Sequence, residues 1–200
     1  MAKLSIVIAA TLAIAAAALP SKPRLCGQVD APDYMVSVPK FPNPQGEGHP
    51  GVGFIADQTS NDGAVTAAHA QVVQFNGPVG AYGCQIGLTF PSDVAKFYNA
   101  TGTDGSVNPP TLNVYRIDGV DEWHTTYSGL RKRDGLFGTV TVRPGRQIIN
   151  TVACPTAEEG RMAFLFEVPE WIRNTGASWQ NYINGWDLEG SVGVFVNYNC

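Results

Sequence analysis

The stretch that decides the fold is "CQIGLTFP", residues 84–91, where Ile86, Leu88 and Phe90 alternate with Gln85, Gly87 and Thr89. Successive side chains of a β-strand point to opposite faces, so strict period two means that one face meets a core. The pattern recurs downstream. "TLNVYRID" (111–118) sets Leu112 and Val114 against Asn113 and Tyr115, and "FGTVTVRPG" (137–145) sets Val140 and Val142 against Thr139 and Thr141. "RMAFLFEVP" (161–169) puts Met162, Phe164, Phe166 and Val168 on one side, and "SVGVFVNY" (191–198) aligns Val192, Val194 and Val196. Upstream, "YMVSV" (34–38), "GVGFIA" (51–56) and "AQVVQFN" (70–76) read as short strands, the last two separated by the turn-rich "DQTSNDG".

Only "EWIRNTGASWQNYINGW" (170–186) hints at a helical repeat, and glycines interrupt it. Charged residues are 15% of the chain, while 22 glycines and 14 prolines supply turns. Short strands at regular spacing predict an all-β fold, a two-sheet antiparallel β-sandwich that is jelly-roll-like or immunoglobulin-like and stapled by disulfides. The cysteine, tryptophan, cysteine spacing of true immunoglobulin domains is not evident.

The first 24 residues, "MAKLSIVIAATLAIAAAALPSKPR", place one lysine before an uncharged apolar run, which predicts a secretory signal peptide over residues 1–18 cleaved after Ala18. The run is shorter than the roughly 20 residues of a spanning helix. A second cut after Arg24 would remove a short propeptide. Residues 19–51 are expected to be a processed or extended N-terminal arm with one candidate strand, because "PKFPNPQGEGHPG" (39–51) carries four prolines. The sandwich is expected over 52–200. The product is then a secreted protein, extracellular or in the cell wall.

All four cysteines, Cys26, Cys84, Cys154 and Cys200, lie beyond the signal, and none forms a Cys-x-x-Cys pair. Two disulfides are therefore expected rather than a zinc site. In the chain-entropy view each long-loop bridge restrains the unfolded state by roughly 4 kcal/mol. If "CQIGLTFP" and "SVGVFVNYNC" are antiparallel neighbours, Cys84 meets Cys200, and Cys26 is left for Cys154.

Net charge is −4, or −5 once Lys3 leaves with the signal, so the basic field that nucleic acid or an anionic membrane requires is missing. Neither is expected as a partner.

Several of these segments together resemble the fungal family of the ubiquitin-3-binding protein C-terminal domain, over about residues 84–200. The carriers are "CQIGLTFP", "TLNVYRIDG", "GTVTVRPG", "CPTAEEGRMAFLFEV" and "GVFVNYNC". Cys154 and Pro155 match the Cys-Pro that opens a phenylalanine-rich strand in that family, and Gly193 begins the glycine-led final strand. The resemblance implies a fold and offers no catalytic residue. The family's name implies an intracellular partner, from which the signal peptide here departs.

Searched for chemistry, the sequence offers little. His49, His69 and His124 are scattered, no Gly-x-Ser-x-Gly elbow occurs, and the cysteines are committed to bridges. Glu167, opposite Phe164 and Phe166, is the best candidate for one carboxylate of a glycan-cleaving pair, though a solvated outward residue is the expected reading. Asp118, Asp121 and Glu122 in "DGVDE" lack the spacing of a calcium loop and are expected to be a solvated turn. No catalytic residue, cofactor or metal is expected.

Trp171, Trp179, Tyr182 and Trp186 are candidate ligand-binding rings, though core packing is the expected reading. Asn99 in "NAT" is a glycosylation sequon, expected in a loop. The expected function is a non-catalytic secreted module that binds a cell-wall polysaccharide or a host surface. The alternative is a secreted glycan-active enzyme using a carboxylate pair.

Overall fold

The structure is a computed structural model that describes residues 27–77, 80–91, 98–101, 109–121, 124–184 and 188–199. The strands are β1 (Gln28–Asp30), β2 (Tyr34–Phe41), β3 (His49–Pro50), β4 (Gly53–Asn61), β5 (Ala64–Asn76), β6 (Cys84–Phe90) and β7 (Tyr98–Thr101). They continue with β8 (Thr111–Ile117), β9 (Lys132–Thr141), β10 (Gly145–Val152), β11 (Arg161–Glu167), β12 (Thr175–Gln180) and β13 (Gly193–Tyr198). Two antiparallel sheets pack face to face. The smaller has the order β1-β13-β6-β10, and the larger carries the other nine strands around β5. The expected all-β sandwich is present.

Alternation builds the core as the sequence foretold. Ile86, Leu88 and Phe90 of β6, with Val194, Val196 and Tyr198 of β13, face Val73, Phe75, Leu112, Val114, Phe164 and Phe166 of the large sheet. The opposite face of β6 explains its glycine. A Cβ on Gly87 would sit 2.5 Å from the Phe195 ring, so only glycine lets that ring fold flat over the strand.

"DQTSNDG" is mostly strand rather than a turn. β4 runs to Asn61, β5 starts at Ala64, and only Asp62 and Gly63 turn, with φ of 48° and 81°. Two consecutive left-handed residues form the tight hairpin turn for which an Asp-Gly pair is suited.

β5 then serves three partners. β2 lies along one edge over residues 68–74, while the other edge passes from β4, at residues 64–69, to β11, at residues 71–76. Gln71, fully buried, sits at this fork, where its Oε1 accepts the amide of Ile55 and its Nε2 donates to Val72 O. A side chain thus replaces the strand partner that β4 loses on leaving β5.

The structure corrects four further expectations about the fold. Residues 27–51 are no arm, because β1 extends the small sheet and β2 and β3 belong to the large one. Pro39 is tolerated in β2 at an irregularity between Pro39 and Phe41. The segment suspected of helical period holds β12, paired with β4 and β7. Asn99 lies within β7, opposite Ser178, rather than in a loop.

The fourth correction concerns the disulfides. β6 and β13 are antiparallel neighbours as expected, yet their register sets Val194 against Leu88 and Asn197 against Gln85, which carries Cys84 opposite Tyr198 and not Cys200. On its other side β6 pairs with β10, with Val152 opposite Cys84. Cys154, just past that strand, bonds to Cys84 with a Cα separation of 5.1 Å. The Cys84–Cys200 and Cys26–Cys154 pairings are therefore wrong. Cys26 and Cys200 lie outside the described residues, as does the segment expected to be a signal peptide.

Candidate functional site

The strand β11 is apolar on both faces, and this positions the one acid that is buried among the described residues. Met162, Phe164 and Phe166 enter the core between the sheets, while Ala163 and Leu165 point outward into a second cluster with Val36, Val38, Ala70, Val72 and Ile117. The chain between β8 and β9 crosses over that outer face and adds Val120, Tyr127 and Leu130. Glu167 follows Leu165 by two residues and so shares the covered face.

Glu167 is 4% exposed. Its Oε2 accepts from the Tyr127 hydroxyl at 2.7 Å, and its Oε1 accepts from Lys132 Nζ at 2.9 Å. The Lys132 ammonium also sits 3.6 Å from the centroid of the Tyr115 ring, a cation–π contact. Lys40 Nζ approaches Oε2 at 3.4 Å and the Glu170 carboxylate at 3.8 Å, in neither case with hydrogen-bond alignment to a described residue. Burial, and next the Glu167 charge, push the Tyr127 phenol far above its ordinary value, so it stays a neutral donor. Asn113, opposite Glu167 in register, donates to the Tyr115 hydroxyl, while its Oδ1 is buried without a hydrogen-bond partner among the described residues.

The arrangement is a clamped acid. A general acid or nucleophile must reach its substrate, and both Glu167 oxygens already accept hydrogen bonds beneath a covering loop. The nearby Glu170 is exposed, but the Lys40 ammonium stands within 4 Å of both carboxylates. A glycosidase pair instead brackets open space for sugar and water. The solvated reading of Glu167 is corrected: it faces away from the core but is sealed by a second one.

A cavity of about 250 Å³ opens beside Lys40, lined also by Phe41, Gln58, Val65, Glu170 and Arg173. Gln58 braces its rim by donating to the carbonyl of Ile172 at 2.6 Å. A second cavity, about 310 Å³, is lined by the crossing chain itself and includes Asp118, Asp121, His124 and Arg131.

The remaining candidates fall in separate places. His49 is exposed in β3, and His124 pairs with Asp121 at 3.6 Å. His69 is half-exposed, and Asp57 Oδ1 accepts from both its backbone amide and, at 2.9 Å, its Nδ1. Asp118 is occupied by Arg133 Nε at 2.7 Å, and Glu122 lies outside the described residues. Among the described residues no three His, Cys, Asp or Glu side chains are grouped to hold a metal.

The aromatic residues divide. Trp179 is core, 4% exposed, stacked on Phe54 at 3.7 Å and edge-on to Phe90. Trp171 and Tyr182 are 75% and 61% exposed. They flank β12, whose six residues span about 17 Å at 3.3 Å per step, so they form no single platform. Trp186 lies outside the described residues.

Sequence reasoning missed Lys40, Tyr127, Lys132 and Asn113. A usable signal was present: Ala163 and Leu165 make β11 a near-continuous apolar run, which marks a strand covered on both faces. No protein-family model and no curated protein matches this chain, so the functional reading rests on the molecule itself.

Proposed function

We propose that this is a secreted, non-catalytic β-sandwich module that binds a cell-wall polysaccharide or a host surface. The observation that carries the reading is the contrast between Glu167, shut away by Tyr127 and Lys132, and two large rings held in solvent. Exposed tryptophan and tyrosine rings combine an apolar face with a polar edge, on which the faces of sugars stack. Because Trp171 and Tyr182 lie at opposite ends of β12, a polymer can touch both where a single sugar cannot. The strand between them presents short or polar side chains beside the exposed Ile55. Ser178 lies opposite Ile55, and Gln180 lies opposite Gly53.

The test is a pull-down of the secreted protein with insoluble chitin, glucan and cellulose, alongside Trp171→Ala and Tyr182→Ala. Retention on one polymer, weakened by either substitution with the melting temperature unchanged, is expected. Release of soluble sugar by the parent protein would overturn the non-catalytic reading and favour the carboxylate-pair enzyme. Retention indifferent to both substitutions would overturn the assignment of these rings.

A further inference from the structure

Three of the chain's 13 basic residues are consecutive, Arg131, Lys132 and Arg133, and no other two are adjacent. Arg131 precedes β9, and Lys132 and Arg133 open it. β9 ends the strand order of the large sheet, so its outer edge is paired with no strand among the described residues. The inner ladder, with β8, is broken at this point. Lys132 faces Ile117 and Leu136 faces Tyr115, which leaves Arg133, Asp134 and Gly135 against Arg116 alone. The two surplus residues make the strand bulge. Residues 131–136 are all exposed, and a Cβ added to Gly135 would meet nothing within 4 Å. The Arg133 side chain is held by Asp118 at 2.7 Å and Glu159 at 3.3 Å, both in solvent, and exposed ion pairs contribute little. Lys132 reaches the buried Glu167 from a side chain that is itself 36% exposed.

We infer that the Arg133–Asp134 peptide bond is a processing site for an endoprotease that recognises paired basic residues. Such an enzyme binds its substrate as an extended strand and takes the two cationic side chains into acidic pockets. An edge strand is already extended, and its free edge offers unpaired backbone groups to the enzyme. The bulge lets this segment lift from β8 locally, at far less cost than unfolding the sheets. Hydrolysis adds one water across the bond. The C–N bond breaks, and Arg133 is left with a carboxylate and Asp134 with an amine. The chemistry does not depend on export; the export reading supplies only the place where such a protease is met.

The fold keeps the two pieces together. Cys84 precedes the bond and Cys154 follows it, so their disulfide joins the pieces covalently. β11, β12 and β13 of the second piece also pair with β5, β4 and β6 of the first. What changes is the chain that crosses over Leu165 and Glu167, which loses its covalent tether to β9 and is anchored at β8 alone. The product is a two-chain protein with a loosened cover over the outer face of β11.

The experiment exposes the purified folded protein, well below its thermal midpoint, to a purified endoprotease specific for Lys-Arg pairs. One cut is expected, with Asp134 as the new N-terminus by mass spectrometry. The product should run as one species without reductant and as two with it. Arg133→Gln should melt with the parent and should not be cut. Asp118→Asn, which frees Arg133 from its closer partner, should be cut about two- to fivefold faster than the parent. A folded parent that resists until heated into its unfolding transition would overturn the site, and so would a first cut at another bond. Pieces that separate without reductant would overturn the two-chain product. An Asp118→Asn variant cut at the parent's rate would overturn the part given to the Arg133 ion pair. None of these readings depends on where the protein is made, so failure of the site leaves the export reading standing.

Discussion

The two faces of β11 make the most instructive comparison in the molecule. The inner face, Met162, Phe164 and Phe166, meets another sheet, and its apolar alternation announces it. The outer face, Ala163, Leu165 and Glu167, is covered by a single crossing of chain that brings Tyr127 and Leu130 down from above. Both faces are buried, but by different means. A second sheet supplies a broad apolar surface, so every inward position can be hydrophobic. A crossing loop supplies a narrow one, and the strand ends beneath it are completed by charge: Glu167 against Lys132 and Lys40. Alternation therefore tells which residues share a face and leaves open what lies over the other.

Substitutions along β11 test the comparison. Phe164→Ala should cost the most, about 3–5 kcal/mol in chemical denaturation, because it opens a void between two sheets that cannot close. Leu165→Ala should cost about 2–4 kcal/mol, since its cover, though thin, is complete. A cost near 0.5 kcal/mol, the ordinary value for a surface change, would show that the outer face is solvated and break the comparison. Tyr127→Phe should cost about 1–2 kcal/mol by removing one donor to a buried carboxylate.

Tyr127 also links the outer face to pH. Its folded-state value is raised, as is that of Tyr198, pushed up to about 12 by burial and by the hydrogen bond and charge of Asp30. A group raised above its unfolded value of 10.0 gives stability that is whole below that pH and drains as pH climbs through the folded values. Denaturation midpoints should therefore hold to about pH 10 and then fall. Tyr127→Phe should fall less steeply across that window than the parent. Equal slopes would show that the phenol is not held beneath the loop.

The smallest effect is expected at Asn99. Asn99→Gln should leave the melting temperature unchanged and remove one glycan's mass from protein made in a yeast secretory host. A parent and variant of equal mass would show the sequon unused.

Legibility followed the same division. Strands whose inner face alternates, such as β6 and β13, could be read directly, while their adjacency was only the premise of the Cys84–Cys200 pairing. The register could not, because a slip of two residues preserves every inward side chain and yet moves Cys84 from Cys200 to Tyr198. β10 escaped because its partly exposed "GRQIINTV" lacks clean alternation, and β12 because glycine and serine fill its outward positions. The Glu167 cluster draws Lys40 from one distant segment and Tyr127 with Lys132 from another. Only the folded chain brings those charges together.

The central claim is that Glu167 holds the outer face together and performs no chemistry. The thermal midpoint of Glu167→Gln, measured beside polysaccharide retention and sugar release, tests it most directly. Neutralising a carboxylate that two ammonium groups face should cost about 2–4 kcal/mol, lowering the midpoint by roughly 4–16 °C. Retention below the new midpoint should be unchanged, with no sugar released by either protein. A variant that melts with the parent but loses a sugar-releasing activity the parent possesses would contradict the account.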